Sequence, residues 1–83
     1  MTSRPQYDVL TIAENDPERA RLETDLRALD DACFEALFRR TRAAAAAHRA
    51  TGDMEALIPL VRGLKTLHRL GAERGLIFRA AGR

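Results

Sequence analysis

His48 and His68 are the two imidazoles of this 83-residue chain, and Cys33 is its single thiol. A catalytic or structural metal centre needs three or four ligands converging on one ion. Here the histidines fall on different predicted helices, with His48 near the intervening turn and His68 toward the far end of the second helix. A lone cysteine forms neither an intrachain disulfide nor a multi-cysteine zinc site, and on an apolar stripe it reads as a small buried hydrophobe. There is no phosphate-binding glycine loop, no dinucleotide fingerprint and no serine-centred elbow. The sequence therefore predicts no enzyme, no cofactor and no metal. What remains is charge. Arg62, Lys65 and Arg69, followed by Arg74 and Arg79, recur at steps of three to five residues, which places several cations on a similar side of a helix. Such a row is either a set of salt-sensitive, sequence-independent contacts to nucleic-acid phosphates or a solvated face whose arginine stems cover apolar surface. Arg62, Lys65 and Arg69 are the candidate nucleic-acid-binding residues.

The charges are divided along the chain. Residues 14–31 hold seven acids against three arginines, a net of −4, whereas residues 54–83 hold six bases against Glu55 and Glu73, a net of +4. Antiparallel packing of two helices would bring these opposite ends together.

The elements that must carry these residues read as helices. Asp16-Pro17-Glu18 is a helix start, with a capping Asp, a Pro at the first position and an acid at the positive end of the dipole. No Pro or Gly follows until Gly52. Leu22, Leu26, Leu29, Cys33 and Leu37 recur at helical steps, and Phe34 and Phe38 widen the stripe. The expectation is one amphipathic helix from residue 17 to about residue 50, roughly 50 Å long at 1.5 Å per residue. Ala43 to Ala47 give it a stretch of high helix propensity and little bulk. Thr51-Gly52-Asp53 ends it and caps a second helix, whose apolar series is Leu57, Ile58, Leu60, Val61, Leu64, Leu67 and Leu70. Pro59 either kinks that helix or separates a first turn, and one kinked helix is the expectation. Met1 to Asn15 read as an irregular arm, with a short strand within Tyr7 to Ile12 as an alternative. The fold class is all-α: an antiparallel helical hairpin over residues 16–78, an N-terminal arm over 1–15 and a basic tail over 79–83.

Aromatic residues make up 5% of the chain and Trp is absent, so the core is built mainly from Leu and Ala. A domain of this size buries only about 60% of its unfolded surface, and association is a common remedy. Both helices also show apolar faces wider than one partner helix covers, which predicts a homo-oligomer, a ring or a bundle. Leu22, Leu26, Leu29, Phe34, Leu37, Phe38, Leu57, Val61, Leu64 and Leu67 are the residues expected to pack within and between subunits. No apolar run is long enough to span a bilayer, and Met1 to Tyr7 lack a signal-like stretch, so the expected location is the cytoplasm, with no membrane partner.

Two family resemblances accompany these readings. Leu22 to Asp30, with Phe34, Leu37, Phe38 and Arg40, is similar over about twenty residues to the first helix of the all-helical chorismate mutases. Arg40 matches an active-site position of that family, while Glu23 stands where the family has a substrate-binding arginine. Over roughly residues 17–78, the long helix with an Arg/Ala-rich end, the Gly-Asp turn and the helix from Ala56-Leu57 to Gly75-Leu76 resemble the oligomerisation hairpin of phage small terminase subunits. That resemblance implies a ring that regulates DNA packaging, in a reduced form such as a gene transfer agent would use. It also implies a large terminase motor as partner, engaged through the N-terminal arm or the segment from Phe78 to Arg83.

Overall fold

The structure is a computed structural model that describes residues 8–76, so Ile77, Phe78, the 79–83 tail and the first seven residues of the arm lie outside the described residues. Three helices follow one another: α1 (Arg19–Arg27), α2 (Asp31–Thr51) and α3 (Met54–Glu73). Among the described residues there is no strand, and residues 8–18 are irregular. No described helix is long and apolar enough to cross a membrane.

The single helix expected from residue 17 to 50 is two helices, and Asp30 is the reason. Its backbone is extended (φ −73°, ψ 168°) and its carboxylate accepts the Cys33 N–H at 2.8 Å, capping a new helix. Ahead of it, the Ala28 and Leu29 amides bond to Thr24, Asp25 and Leu26 carbonyls in the tighter pattern that closes a helix end. Arg74, arriving at the end of α3, donates from Nη2 to the Leu29 carbonyl, pairs with Asp31 at 3.1 Å and lies 4.9 Å from the Phe34 ring centroid. One guanidinium thus ties α3 to both sides of the break. The start of α1 also differs from expectation: Asp16 accepts the Glu18 N–H at 2.9 Å, so Pro17 sits in a turn and the helix begins at Arg19. Resetting the helix at Asp30 turns Phe34, Leu37, Phe38, Thr41 and Ala45 inward, and Cys33, expected to be buried, is exposed.

The α2–α3 turn is as the sequence indicates. Gly52 takes φ 76°, the left-handed conformation that ends a helix, and Asp53 accepts the Ala56 N–H at 3.2 Å. Pro59 lies within α3, which runs unbroken from Met54 to Glu73. Next to the turn Ala45 packs with Leu57 and Leu60, while Phe34, Leu37 and Phe38 pack with Leu26, Leu67 and Leu70. α3 therefore packs on α2 in both clusters.

The arm supplies what a pair of helices cannot. Leu10 and Ile12 are 1% and 0% exposed and belong to the core, whereas Thr11 and Ala13 face solvent, a two-residue alternation. The Leu10 N–H donates to Thr41 Oγ1 at 2.9 Å, and that hydroxyl donates to the Leu37 carbonyl at 2.8 Å. The Ile12 N–H reaches the Pro59 carbonyl at 3.1 Å, and Arg62 donates to the Ile12 carbonyl at 3.2 Å. Gly63 makes this close approach feasible, because a Cβ there would overlap the Leu10 carbonyl oxygen and lie 2.9 Å from its carbon. The broad apolar face of α3, expected to call for neighbouring subunits, is largely covered by the chain's own arm and α1. Met54 and Ile58 are the large hydrophobic residues left exposed among those described.

Candidate nucleic-acid interface

The three α3 cations have different fates. Arg62 is turned onto the arm, where it holds the Ile12 carbonyl and lies 3.9 Å from Glu14. Arg69 binds Glu23 of α1 at 2.7 Å and approaches Glu73 at 3.8 Å. Lys65 is exposed and makes no ion pair or hydrogen bond with any described residue. Two of the three residues proposed from the sequence thus fasten the arm and α1 to α3, and a continuous cationic row does not form along this helix.

The fastening of α1 is a small charge network. Arg19 contacts Glu23 at 3.4 Å and the buried Thr66 hydroxyl at 3.1 Å, and Arg27 pairs with Glu73 at 3.2 Å. At its centre, burial pushes the Glu23 carboxyl up, but hydrogen bonds and charge from Arg69 and Arg19 outweigh it and hold the group below the ordinary carboxylate value. The opposition of acidic start and basic end read from the sequence is realised here as contacts between α1 and α3.

A different basic surface lies on α2. Between Glu35 and Asp53 the chain has no acidic residue, and this stretch carries Arg39, Arg40, Arg42, His48 and Arg49. Arg40 Nε donates to the Asp8 carbonyl at 2.7 Å and anchors the arm, so its match to a chorismate mutase active-site position corresponds here to a structural contact. Arg39 and Arg49 are exposed and Arg42 is half-exposed. Arg39 has only a 3.7 Å approach to Glu35, between two exposed side chains. Beside these arginines the outer surface is Ala43, Ala46, Ala47 and Ala50, all but free of bulk. Phosphates could approach such a face closely while arginines along its edge meet them, because each guanidinium offers a planar fork of donors.

The remaining chemically competent side chains are apart. His48 Nδ1 is 3.7 Å from Asp53 Oδ2 at the turn, whereas the His68 ring meets Phe38 edge-on at 5.7 Å between centroids. No group of three His, Cys, Asp or Glu side chains among the described residues is placed to hold a metal. A cleft of about 430 Å³ opens between the arm, α2 and α3, walled by Val9, Ala13, Ala44, Ala56, Pro59 and Leu60, with Thr11 and His48 as its polar groups.

Of the ten apolar residues expected to pack within and between subunits, Leu26, Phe34, Leu37, Phe38, Leu57 and Leu67 are buried inside one chain. Leu22, Leu29, Val61 and Leu64 are half-buried against the same core. Sequence reasoning missed Leu10 and Ile12, whose signal was the apolar alternation across Thr11, and Gly63, whose signal was a glycine in mid-helix. It also missed Arg39, Arg42 and Arg49, whose signal was the acid-free stretch around them. Comparison with protein-family models, with curated proteins and with solved structures finds no match to this chain.

Proposed function

We propose that this chain is a non-catalytic helical subunit that works by contact with the DNA backbone, a small-terminase-like component of viral or gene-transfer-agent DNA packaging that acts as a homo-oligomer. The observation that carries the reading is the outer face of α2, where Arg39, Arg42 and Arg49 stand among alanines with no acid on the helix beyond Glu35. The packing of α3 on α2 after the Gly52-Asp53 turn supports the hairpin plan that suggested the family. The DNA face moves from α3 to α2, because Arg62 and Arg69 are engaged within the chain. On this reading the large terminase motor remains the protein partner. It would meet a surface other than Leu10 and Ile12, which are spent on the core.

Contact of this kind is electrostatic and indifferent to base sequence. Three phosphate contacts per subunit correspond to a slope of about −2.7 in log K against log salt. The test is fluorescence anisotropy of two short duplexes of unrelated sequence titrated with the protein across a salt series. Equal binding of both duplexes at low salt, and its loss on replacing Arg39, Arg42 and Arg49 together by Ala, is the expected result. Alanine suits a helix surface, so circular dichroism of that variant should be unchanged. Absence of binding at the lowest salt, or unchanged binding by the triple variant, would overturn the proposal.

A further inference from the structure

The outward side of α3 near the turn carries the large apolar residues left exposed among those described, Met54 and Ile58, which are 56% and 45% exposed, followed by the half-buried Val61. Four- and three-residue steps set the three along one side of the helix. The arm and α1 cover another side of the helix, the one presented by Leu60, Gly63, Leu67 and Leu70, while Met54 and Ile58 stay exposed and Val61 is half-buried against Ala45, Leu57 and Leu60. At its two ends stand Glu55 and Lys65. Both are exposed, and neither makes an ion pair or hydrogen bond with a described residue, although most charged side chains around them on α1 and α3 are paired.

We propose that this strip is a self-complementary docking surface for a second copy of the chain, with α3 packed antiparallel against α3 of the partner about a two-fold axis that crosses the strip between Ile58 and Val61. The argument is charge complementarity. Ten residues of helix separate Glu55 from Lys65 by about 15 Å. An antiparallel partner centred midway between them places Lys65 of each copy opposite Glu55 of the other, within reach of the flexible lysine stem. One two-fold contact therefore forms two ion pairs and encloses both copies of Ile58 and Val61 between them, as an isologous interface requires. A parallel arrangement would set like charges side by side. The inference rests on the homo-oligomer of the proposed function, but the surface shares no residue with Arg39, Arg42 or Arg49, so DNA binding measured separately stands or falls without it.

So small a seam forms a weak dimer, which calls for sedimentation velocity over concentrations from about 10 μM to 1 mM. A reversible monomer–dimer equilibrium is expected. Glu55→Lys and Lys65→Glu should each weaken it about tenfold, and the double reversal should restore it, because the pairs are re-formed with exchanged signs. Ile58→Asp, at an exposed position that leaves the core intact, should abolish it. A monomer at every concentration would overturn the proposal and leave the strip to a different partner. Association that survives Ile58→Asp, or that the double reversal fails to restore, would overturn it as well.

Discussion

Replacing Gly63 by Ala tests whether the arm is an integral layer of the core. On an exposed helix surface this change would stabilise the protein by about 1 kcal/mol, through helix propensity alone. Here the added methyl overlaps the Leu10 carbonyl oxygen and comes within 2.9 Å of its carbon. The methyl is fixed in place by the helix backbone and the carbonyl it meets is main chain, so no rotamer change relieves the clash. The arm must shift as a unit, straining its bonds to Thr41, Pro59 and Arg62, or it must leave and expose Leu10 and Ile12. Overpacking of a tight site costs about 1 to 3 kcal/mol, and a main-chain clash belongs at the upper end. Less the propensity gain, the expected net loss is about 2 kcal/mol. That corresponds to a fall in melting temperature of roughly 8 to 16 °C for a domain of this size. Urea and thermal unfolding followed by circular dichroism would measure it, and hydrogen exchange would show the Leu10 and Ile12 amides losing protection. If the arm is displaced, Leu10→Ala should add little on the Gly63→Ala background, although it is costly alone. A variant as stable as the parent, or more stable, would refute the close approach of arm and helix on which this reasoning rests.

Other substitutions probe the remaining joints. Asp30→Ala should cost about 1 kcal/mol in urea unfolding, while Asp30→Asn should cost little, because asparagine also caps. Arg74→Ala should destabilise by about 2 kcal/mol through loss of the Leu29 carbonyl bond and the Phe34 contact, and Arg74→Lys should recover only a minor part, because an ammonium lacks the planar fork whose separate nitrogens reach the Leu29 carbonyl and Asp31 beside the Phe34 ring. Glu23, with its folded pKa held below the ordinary value of 4.5, contributes stability that is fully present above that value. This contribution is lost as pH falls through the lowered folded value. The stability difference between the parent and Glu23→Gln should therefore be constant near neutrality and shrink in acid, and a difference independent of pH down to 3 would contradict the assignment.

How far the sequence spoke for itself depended on the range of the forces involved. Gly52 and Asp53 act within a single turn of chain, and the α2–α3 boundary was legible from them; of the apolar series expected to face inward on α3, Leu57, Leu60, Leu67 and Leu70 are buried, whereas Ile58 is exposed. The break at Asp30 was not legible. Its capping power competes with the apolar stripe running from Leu26 through Leu29 to Leu37, and periodicity alone favoured continuity. The break prevails because Arg74, more than forty residues on, takes up the Leu29 carbonyl that it frees. Cys33 was misplaced for the same reason: a helix that restarts at Asp31 has its own phase. Arg62 and Arg69 looked like a phosphate-binding row because spacing along α3 says nothing of the acids that Glu14 and Glu23 bring from elsewhere. The basic face of α2 escaped notice because its arginines entered only as the Arg/Ala-rich end of a helix resembling an oligomerisation hairpin.

The docking of the arm decides which surfaces remain to do work. Two helices packed on each other leave one side of α3 open, and the sequence assigned that side to neighbouring subunits. Leu10 and Ile12 fill it instead, drawn by Gly63 and fixed by Thr41, Arg40 and Arg62. The association proposed above uses the strip of Met54, Ile58 and Val61, while Arg39 and Arg49 of α2 face solvent elsewhere. The two proposed contacts use different residues, so both can form in one assembly. A duplex long enough to meet two α2 faces at once would then gain from the second by effective concentration. Ile58→Asp, which removes no cation, would weaken binding to a long duplex and leave binding to one that spans a single subunit unchanged. Equal effects on both lengths would mean that self-association and DNA contact are unconnected in this chain.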